Sequence, residues 1–444
     1  MALVISDLSK YVIAIFMAIF TYESFAAFRS IDEEKKEGIY TRQVICMFIV
    51  HFVSFAAICL ETSDLTYIIF YGFQQILLFA TIALFRALYK DVSKVLLNNM
   101  CMLLAIGFLI LTRLDYDKAL RQFKIVTVSL VIGLAIPYLI KKFRFMHKFT
   151  WVFGMAGSLA LIIVLVLGAV TNGSKISYTI GGYTFQPSEF VKILFVFFVA
   201  GMFAASKDFL QVSITTLMAA LHVIVLVLSR DLGSAVIFFV VYLIMVFVAT
   251  RNYFYLIAGT LAGCIAAIVA SKLFSHVQVR IQAWRDPWAD IDGAGYQVTQ
   301  SLFAIGTGGW FGMGIYQGDP TAIPYVEADF IFSAIAEELG VFFSIGLILV
   351  CVSCFVAFMY VAMRLKNDYY RLIAVGLGIT YIFQIFLTIG GGTRLIPLTG
   401  VTLPLVSYGG SSVLSTIIVF CIVQGLYCLQ AEEGEHRGKK EADE

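Results

Sequence analysis

The sequence predicts an all-α polytopic membrane protein, and three observations carry that prediction. Of 444 residues, 60% are hydrophobic and only 14% are charged, where a soluble domain carries about 25% charged residues. Mean hydropathy is +0.91. Apolar runs near the roughly 20 residues needed to cross a bilayer recur almost end to end. Breaks at charged or Pro/Gly-rich points give thirteen spans, at 11–28, 43–61, 66–85, 97–112, 123–140, 150–170, 188–205, 209–228, 232–249, 253–274, 329–362, 370–390 and 404–430. The 329–362 segment exceeds one crossing, so part of it should project from the membrane or tilt. The N-terminal MALVISDLSK has one acid and one Lys before its first apolar run, with no small-residue cleavage site after it, so the first span is read as retained.

Cysteine and histidine contribute little. All eight cysteines fall inside apolar segments. Cys351 and Cys354 have a metal-like or redox-like spacing but no nearby histidine, so they read as small buried hydrophobes. The five histidines are scattered. Net charge is +2, and no nucleic-acid partner is expected.

Lys and Arg set the expected orientation. With the C-terminus inside, inner loops such as KKFRFMHK (141–148) and RLKNDYYR (364–371) hold 19 of the 31 basic residues. Cytoplasmic loops favour Lys and Arg, which with an odd span count places the N-terminus outside. The 113–124 loop, with four basic residues outside, runs against this bias. One long outer segment, 276–328, is too rich in Trp, Tyr, Phe and Ile to be disordered. Within it AGYQVTQSLFAIGTGGWFGMG (294–314) reads as a half-length apolar helix followed by a glycine cluster. Irregular backbone at membrane depth must pack on protein or line a cavity, so this segment should wall or roof a site.

The chemistry should sit just beyond it, in VEADFIFSAIAEELG (326–340). If 329–340 is helical, Asp329, Ser333, Ala336 and Gly340 share one face, a stripe of small residues beneath one acid. Glu337 lies toward the same side and Glu338 faces away. An ionised group at bilayer depth costs about 2.5–3.5 kcal/mol even on a lenient scale, so each acid should face protein and have a partner. Glu337 and Glu338 are read as structural and Asp329, close to water, as functional. Cations are available nearby. FQPSEFVK (185–192) enters a span with Pro187 at a helix start and with Glu189 and Lys192 spaced for mutual pairing. SRDLG (229–233) supplies Arg230 and Asp231, VRIQAWRDPWAD supplies Arg280, and GGGTRLIPLTG supplies Arg394. Together they would surround one outer face where an anionic headgroup docks, a task suited to Arg.

From about residue 97 to 430 the chain resembles the SEDS family, the FtsW/RodA/SpoVE group of bacterial cell-wall polymerases. The matching stretches are FQPSEFVK, DLGSA, DPWAD…GAGYQVTQSLFAIGTGGWFGMG, ADFIFSAIAEELG and PLTGVTLPLVSYGGSS. They contain Gln300, Ser333 and Ser407, which join the expected substrate-binding set. The resemblance implies a ten-span core over 97–430 with a large extracellular loop at 276–328. Residues 1–96 form a three-span extension and 431–444 a charged cytoplasmic tail. It implies a peptidoglycan glycosyltransferase acting on lipid II at the outer face, with Asp329 as its essential acid. It also implies a class B penicillin-binding protein as transpeptidase partner, in division, elongation or sporulation machinery. A carboxylate can take the proton of an attacking sugar hydroxyl, and cations can stabilise a pyrophosphate leaving group. A divalent cation, Mg or Mn, could assist the pyrophosphate, but no dedicated ligand cluster is visible. Departures from the family pattern are Arg230 in SRDLG, Thr388 after Gln384, Arg394 where glycine is common, and YVEADF before the helix. Two other readings stand beside it: a transporter of lipid-linked precursor, with the same charges forming a translocation path, and a non-catalytic scaffold for a penicillin-binding protein, which the three-span extension would serve.

Overall fold

The structure is a computed structural model that describes residues 2–171, 174–180 and 183–443. Glu444, the end of the expected tail, lies outside the described residues. Helices α1 (Ala2–Arg29), α2 (Glu33–Thr62), α3 (Leu65–Leu88), α4 (Lys94–Leu114), α5 (Tyr116–Lys142) and α6 (Thr150–Leu167) come first. A small antiparallel sheet follows, β1 (Ala169–Thr171), β2 (Ser174–Ile180) and β3 (Tyr183–Phe185), in the order β1-β2-β3 with Tyr178 opposite Phe185. Next come α7 (Pro187–Ala205), α8 (Phe209–Leu228), α9 (Leu232–Thr250), α10 (Tyr253–Leu273), α11 (Ser275–Arg285) and α12 (Tyr296–Gly308). The chain closes with α13 (Ile331–Arg364), α14 (Asp368–Gly392) and α15 (Gly410–Asp443). Thirteen of these helices are long and apolar enough to cross a membrane, as the sequence predicts. The other two, α11 and α12, are short and belong to the long segment before Asp329; α12 is its expected half-length apolar helix.

Helix starts follow from local chemistry. Asp32, Asp64, Asp208, Asp231 and Asn252 each take N-cap positions and accept a backbone N–H of the first turn, satisfying donors a helix leaves unpaired. Pro187 opens α7, where its missing N–H costs nothing.

The chain forms two compact units. One comprises Met1–Leu130, Val279–Ala357 and Ile385–Gly409; the other comprises Val131–Gln278, Phe358–Gln384 and Gly410–Glu444. In the first unit α4 is the centre, with every residue from Val95 to Thr112 buried. A polar layer crosses this apolar packing. Gln43 Nε2 donates to Ser24 Oγ (2.9 Å), Ser24 Oγ to Asn99 Oδ1 (3.0 Å), and Asn99 Nδ2 to Ser353 Oγ (3.0 Å). Asn98 Nδ2 donates to Gln43 Oε1 (3.0 Å) and Arg86 Nη2 to Asn98 Oδ1 (3.2 Å). Hydrocarbon offers no partner, so such groups must satisfy one another, and in doing so they fix which helix faces meet. Further along α2 and α3, buried His51 lies between Gln74 (3.0 Å) and Gln75 (2.6 Å). In the second unit α7 packs on α6, α8, α9 and α15, and Phe358, Tyr381 and Phe420 meet with ring centroids 5.3–5.6 Å apart.

The structure corrects the expected helix from Asp329 to Gly340. Asp329 precedes α13, which starts at Ile331, and Gly340 breaks the helix with φ 84° and ψ 168°. The stripe Asp329–Ser333–Ala336–Gly340 is therefore not a continuous helical face. The break also explains why the 329–362 run exceeds one crossing: it is two helical pieces. The turn after α12 fills the gap with its backbone. Met313 N donates to Glu337 O (2.8 Å) and Gly314 N to Glu338 O (2.9 Å), while Val341 N donates to Gly309 O (2.9 Å) and Phe342 N to Trp310 O (3.0 Å). The groups freed by the break are thus satisfied by protein, as an apolar environment requires.

Two glycines make this approach possible. A Cβ on Gly340 would lie 2.3 Å from Gly312 N, and one on Gly312, at φ 80°, would lie 2.2 Å from Glu338 O. Gly340→Ala should therefore destabilise the fold by about 3 kcal/mol or more, from a glycine-only backbone region plus overpacking. Thermal unfolding of the purified protein in detergent checks this; an unchanged midpoint would refute the close backbone packing.

Candidate active site

Asp329 follows a loop that the chain pins from several sides within the first unit. Asp329 N donates to Tyr325 O (3.2 Å). Ser407 Oγ donates to Ala328 O (2.5 Å) and accepts from Leu403 N (2.9 Å), and Tyr408 N donates to Glu327 O (2.7 Å). Gln122 Nε2 in turn donates to Ser407 O (3.0 Å). Ser407, expected as a substrate contact, thus braces the backbone that presents the acid. Below, Ser333 is fully buried and shares a hydrogen bond of 2.6 Å with Ser301, whose hydroxyl also reaches Gly392 O (2.7 Å). Ser333 is accordingly part of the packing beneath the acid. Gln300 is half-buried on α12.

Arg280 is the cation that the structure brings to Asp329. It lies on α11, where Nη1 donates to Leu398 O (3.3 Å) and Thr399 O (3.1 Å). The next residue, Gly400, has φ 75°. A Cβ there would meet only Asp329 Oδ2 at 3.6 Å and Arg280 Nη2 at 3.8 Å. Carboxylate and guanidinium therefore converge on the bare face of one glycine. Asp329 is half-buried. Loss of hydration pushes its carboxyl up to about 6, against the opposing pull of Arg280 and with a smaller push from Glu327. A carboxylate titrating near neutrality beside a fixed cation suits proton transfer.

The other acids of the segment have protein partners. Glu338 is 1% exposed and pairs with Arg113 (Nε to Oε1 2.7 Å). Arg113 also donates to Gly318 O (3.2 Å) and stacks 4.3 Å from the Tyr316 ring centroid. Glu337 Oε1 accepts from Asp319 N (3.0 Å). Lys118 pairs with Glu327 (2.5 Å). Two of the four basic residues at 113–124, Arg113 at the end of α4 and Lys118 at the start of α5, are thereby engaged with acids around the site, which the linear sequence could not show.

Glu189, Lys192, Arg230 and Asp231 belong to the second unit. Lys192 contacts Glu189 (2.9 Å) and donates to Gln384 Oε1 (2.8 Å), and Ser415 donates to Glu189 (3.0 Å); both charged groups are buried. Asp231 accepts from Ser188 (3.0 Å) and caps α9 through Ser234 N (3.1 Å). Arg230 is exposed with φ 63°. Arg394 stays in the first unit, where its Nε and Nη2 bind backbone carbonyls of Trp284 (2.9 Å) and Arg285 (2.7 Å). With Trp284, Arg285, Leu302 and Thr393 it lines a cleft of about 540 Å³ that does not include Asp329. Among the described residues no group of three or more His, Cys, Asp or Glu is placed to hold a metal ion.

The fold and this site define a class: a many-spanned membrane protein that displays one half-buried carboxylate and one fixed guanidinium beside a span. Residues 93–430 match the FtsW/RodA/SpoVE family of cell cycle proteins, and the chain belongs to that family. It is 32% identical over 383 residues to the peptidoglycan glycosyltransferase RodA of Mycobacterium tuberculosis, covering 80% of this chain and 82% of that one. It is 35% identical over 273 residues to the probable peptidoglycan glycosyltransferase FtsW of Aeromonas salmonicida, covering 59% and 68%. Among solved structures it resembles a chain described under structural coordination of polymerization and crosslinking by a peptidoglycan synthase complex. There the TM-score is 0.65 with 26% identity, over 76% of this chain and 98% of that one. The crystal structure of the rod shape determining protein RodA of Thermus thermophilus shares the fold, with a TM-score of 0.58.

Proposed function

We infer that this chain is a peptidoglycan glycosyltransferase that polymerises lipid II at the outer face of a bacterial membrane, in cell-wall growth during division or elongation. Its C-terminus lies inside and its N-terminus outside. Asp329 is the general base: it takes the proton of the acceptor sugar hydroxyl as that oxygen attacks the anomeric carbon of the donor. Arg280, on the same glycine face, balances the negative charge that builds on the lipid pyrophosphate as it leaves. The observation that carries this reading is the convergence of Asp329 Oδ2 and Arg280 Nη2 on Gly400. A divalent cation would have to be held largely by the substrate's own phosphates. A class B penicillin-binding protein supplies the transpeptidase step, a reading supported by the synthase complex that the fold resembles.

The pH dependence follows from the base. Only ionised Asp329 accepts a proton, so the polymerisation rate should fall as pH drops through about 6, with a slope of one proton. Lost hydration sets this limb first, Arg280 from α11 opposes it, and Glu327, itself paired with Lys118, adds to it. Initial rates on lipid II between pH 5 and 8, with the penicillin-binding protein present, are the test. A rate constant down to pH 5 excludes this base. Lipid II crossing protein-containing vesicles without any polymer would favour transport instead.

A further inference from the structure

We propose that Arg394 is a positioning residue, which fastens the C-terminal end of α11 and so holds Arg280 in register with Asp329. This rests on the reading of Asp329 and Arg280 given above. The last carbonyls of any helix have no partner within it. On α11 two of them, Trp284 O and Arg285 O, are taken by the Nε (2.9 Å) and Nη2 (2.7 Å) of Arg394. The planar fork of a guanidinium matches two adjacent acceptors, and its charge suits the negative end of a helix. The tie is returned: Trp284 Nε1 donates to Arg394 O (3.2 Å). One turn earlier on α11, Arg280 reaches the other way, to Leu398 O and Thr399 O. The 394–400 segment and the end of α11 are thus laced together at two points, one turn apart. Gly400, where Asp329 and Arg280 converge, closes that segment.

The backbone of Arg394 points the same way. It has φ 60°, a conformation that suits glycine. A side chain held there against its backbone preference needs a compensating contact, and the clasp on α11 provides one.

Replacement by glycine removes the clasp without straining the chain, so Arg394→Gly is the informative variant and Arg394→Lys the conservative one. Both are tested as the full chain with its penicillin-binding protein, on lipid II. Arg394→Gly should lower kcat about tenfold or more, the scale at which small misplacements act, with KM changed less than about twofold. Arg394→Lys, which can reach one carbonyl but cannot fork across two, should recover part of the loss. Amide hydrogen exchange across residues 279–285 should quicken in Arg394→Gly. In an Arg280→Lys background, Arg394→Gly should add little, because the two act through one contact. A raised KM with unchanged kcat would overturn the proposal in favour of a direct substrate contact. Unchanged exchange, or a full further tenfold loss in the Arg280→Lys background, would overturn it as well. If Asp329→Asn retained activity, the base assignment would fall, whereas the exchange measurement and the 280–394 coupling would still decide the clasp.

Discussion

Asp329→Asn should remove glycan polymerisation while leaving a protein that folds as well as the parent, or better. Asparagine keeps the size of the side chain and can still accept a hydrogen bond, so packing over the Tyr325–Phe330 turn is undisturbed. What it loses is the ability to take a proton, and a general base contributes about a hundredfold to ten-thousandfold to rate. The stability sign follows from burial. The carboxyl of Asp329 is raised to about 6 in the folded chain, above its ordinary value, so folding favours the neutral form. That favourable contribution is complete below the ordinary carboxylate range and is lost as pH rises through about 6. At pH 8 the wild type therefore carries a burden that the Asn variant lacks, and at pH 4 it does not. Unfolding midpoints at the two pH values, beside lipid II polymerisation, give both readings from one preparation. Polymerisation at the wild-type rate by Asp329→Asn would remove the residue from the mechanism.

Arg113→Met should produce the largest loss of stability. Its guanidinium is the ion-pair partner of Glu338, which is 1% exposed, and it also holds Gly318 O and stacks on Tyr316. Removing one member of a buried pair strands the other, at a cost of about 3–5 kcal/mol. Methionine retains most of the apolar stem, which separates the lost charge from lost packing. Neutralising the stranded acid as well, in Arg113→Met/Glu338→Gln, should restore a large part of the midpoint, since Gln can still accept from Tyr316 N. Equal midpoints for the wild type and Arg113→Met would show that the pair contributes nothing, and a double variant no better than the single would show that the stranded charge is not the cause.

Much of this was legible in the linear chain. The thirteen spans follow from apolar runs, because a bilayer imposes a length that composition alone reveals. Asp329 stood out because a carboxylate beside Phe330 and Ile331 demands a reason. Arg280 was legible as one of several cations, but not as the one beside the acid. Its selection depends on carbonyls more than a hundred residues away, at Leu398 and Thr399. The break at Gly340 escaped for the same reason: AIAEELG has a helical pattern, and only the backbone of 309–314, brought there by the fold, makes the interruption affordable. Arg394 was read for its charge, whereas the structure uses the shape of its guanidinium. Ser407 and Ser333 are expected from the motifs as substrate contacts, and in the structure they hold backbone and neighbouring side chains. Motif membership marks such residues but does not separate contact with substrate from support beneath it.

The hydrogen-bonded layer through Ser24, Gln43, Asn98, Asn99 and Ser353 bears on how the chain can be handled. Asn98, Asn99 and Ser353 fall within the stretch shared with the family, whereas Ser24 and Gln43 precede it. Removing α1 and α2 would strip Asn98 and Asn99 of these partners and leave amides facing oil. Helices α1 and α2 are therefore integral walls of the first unit.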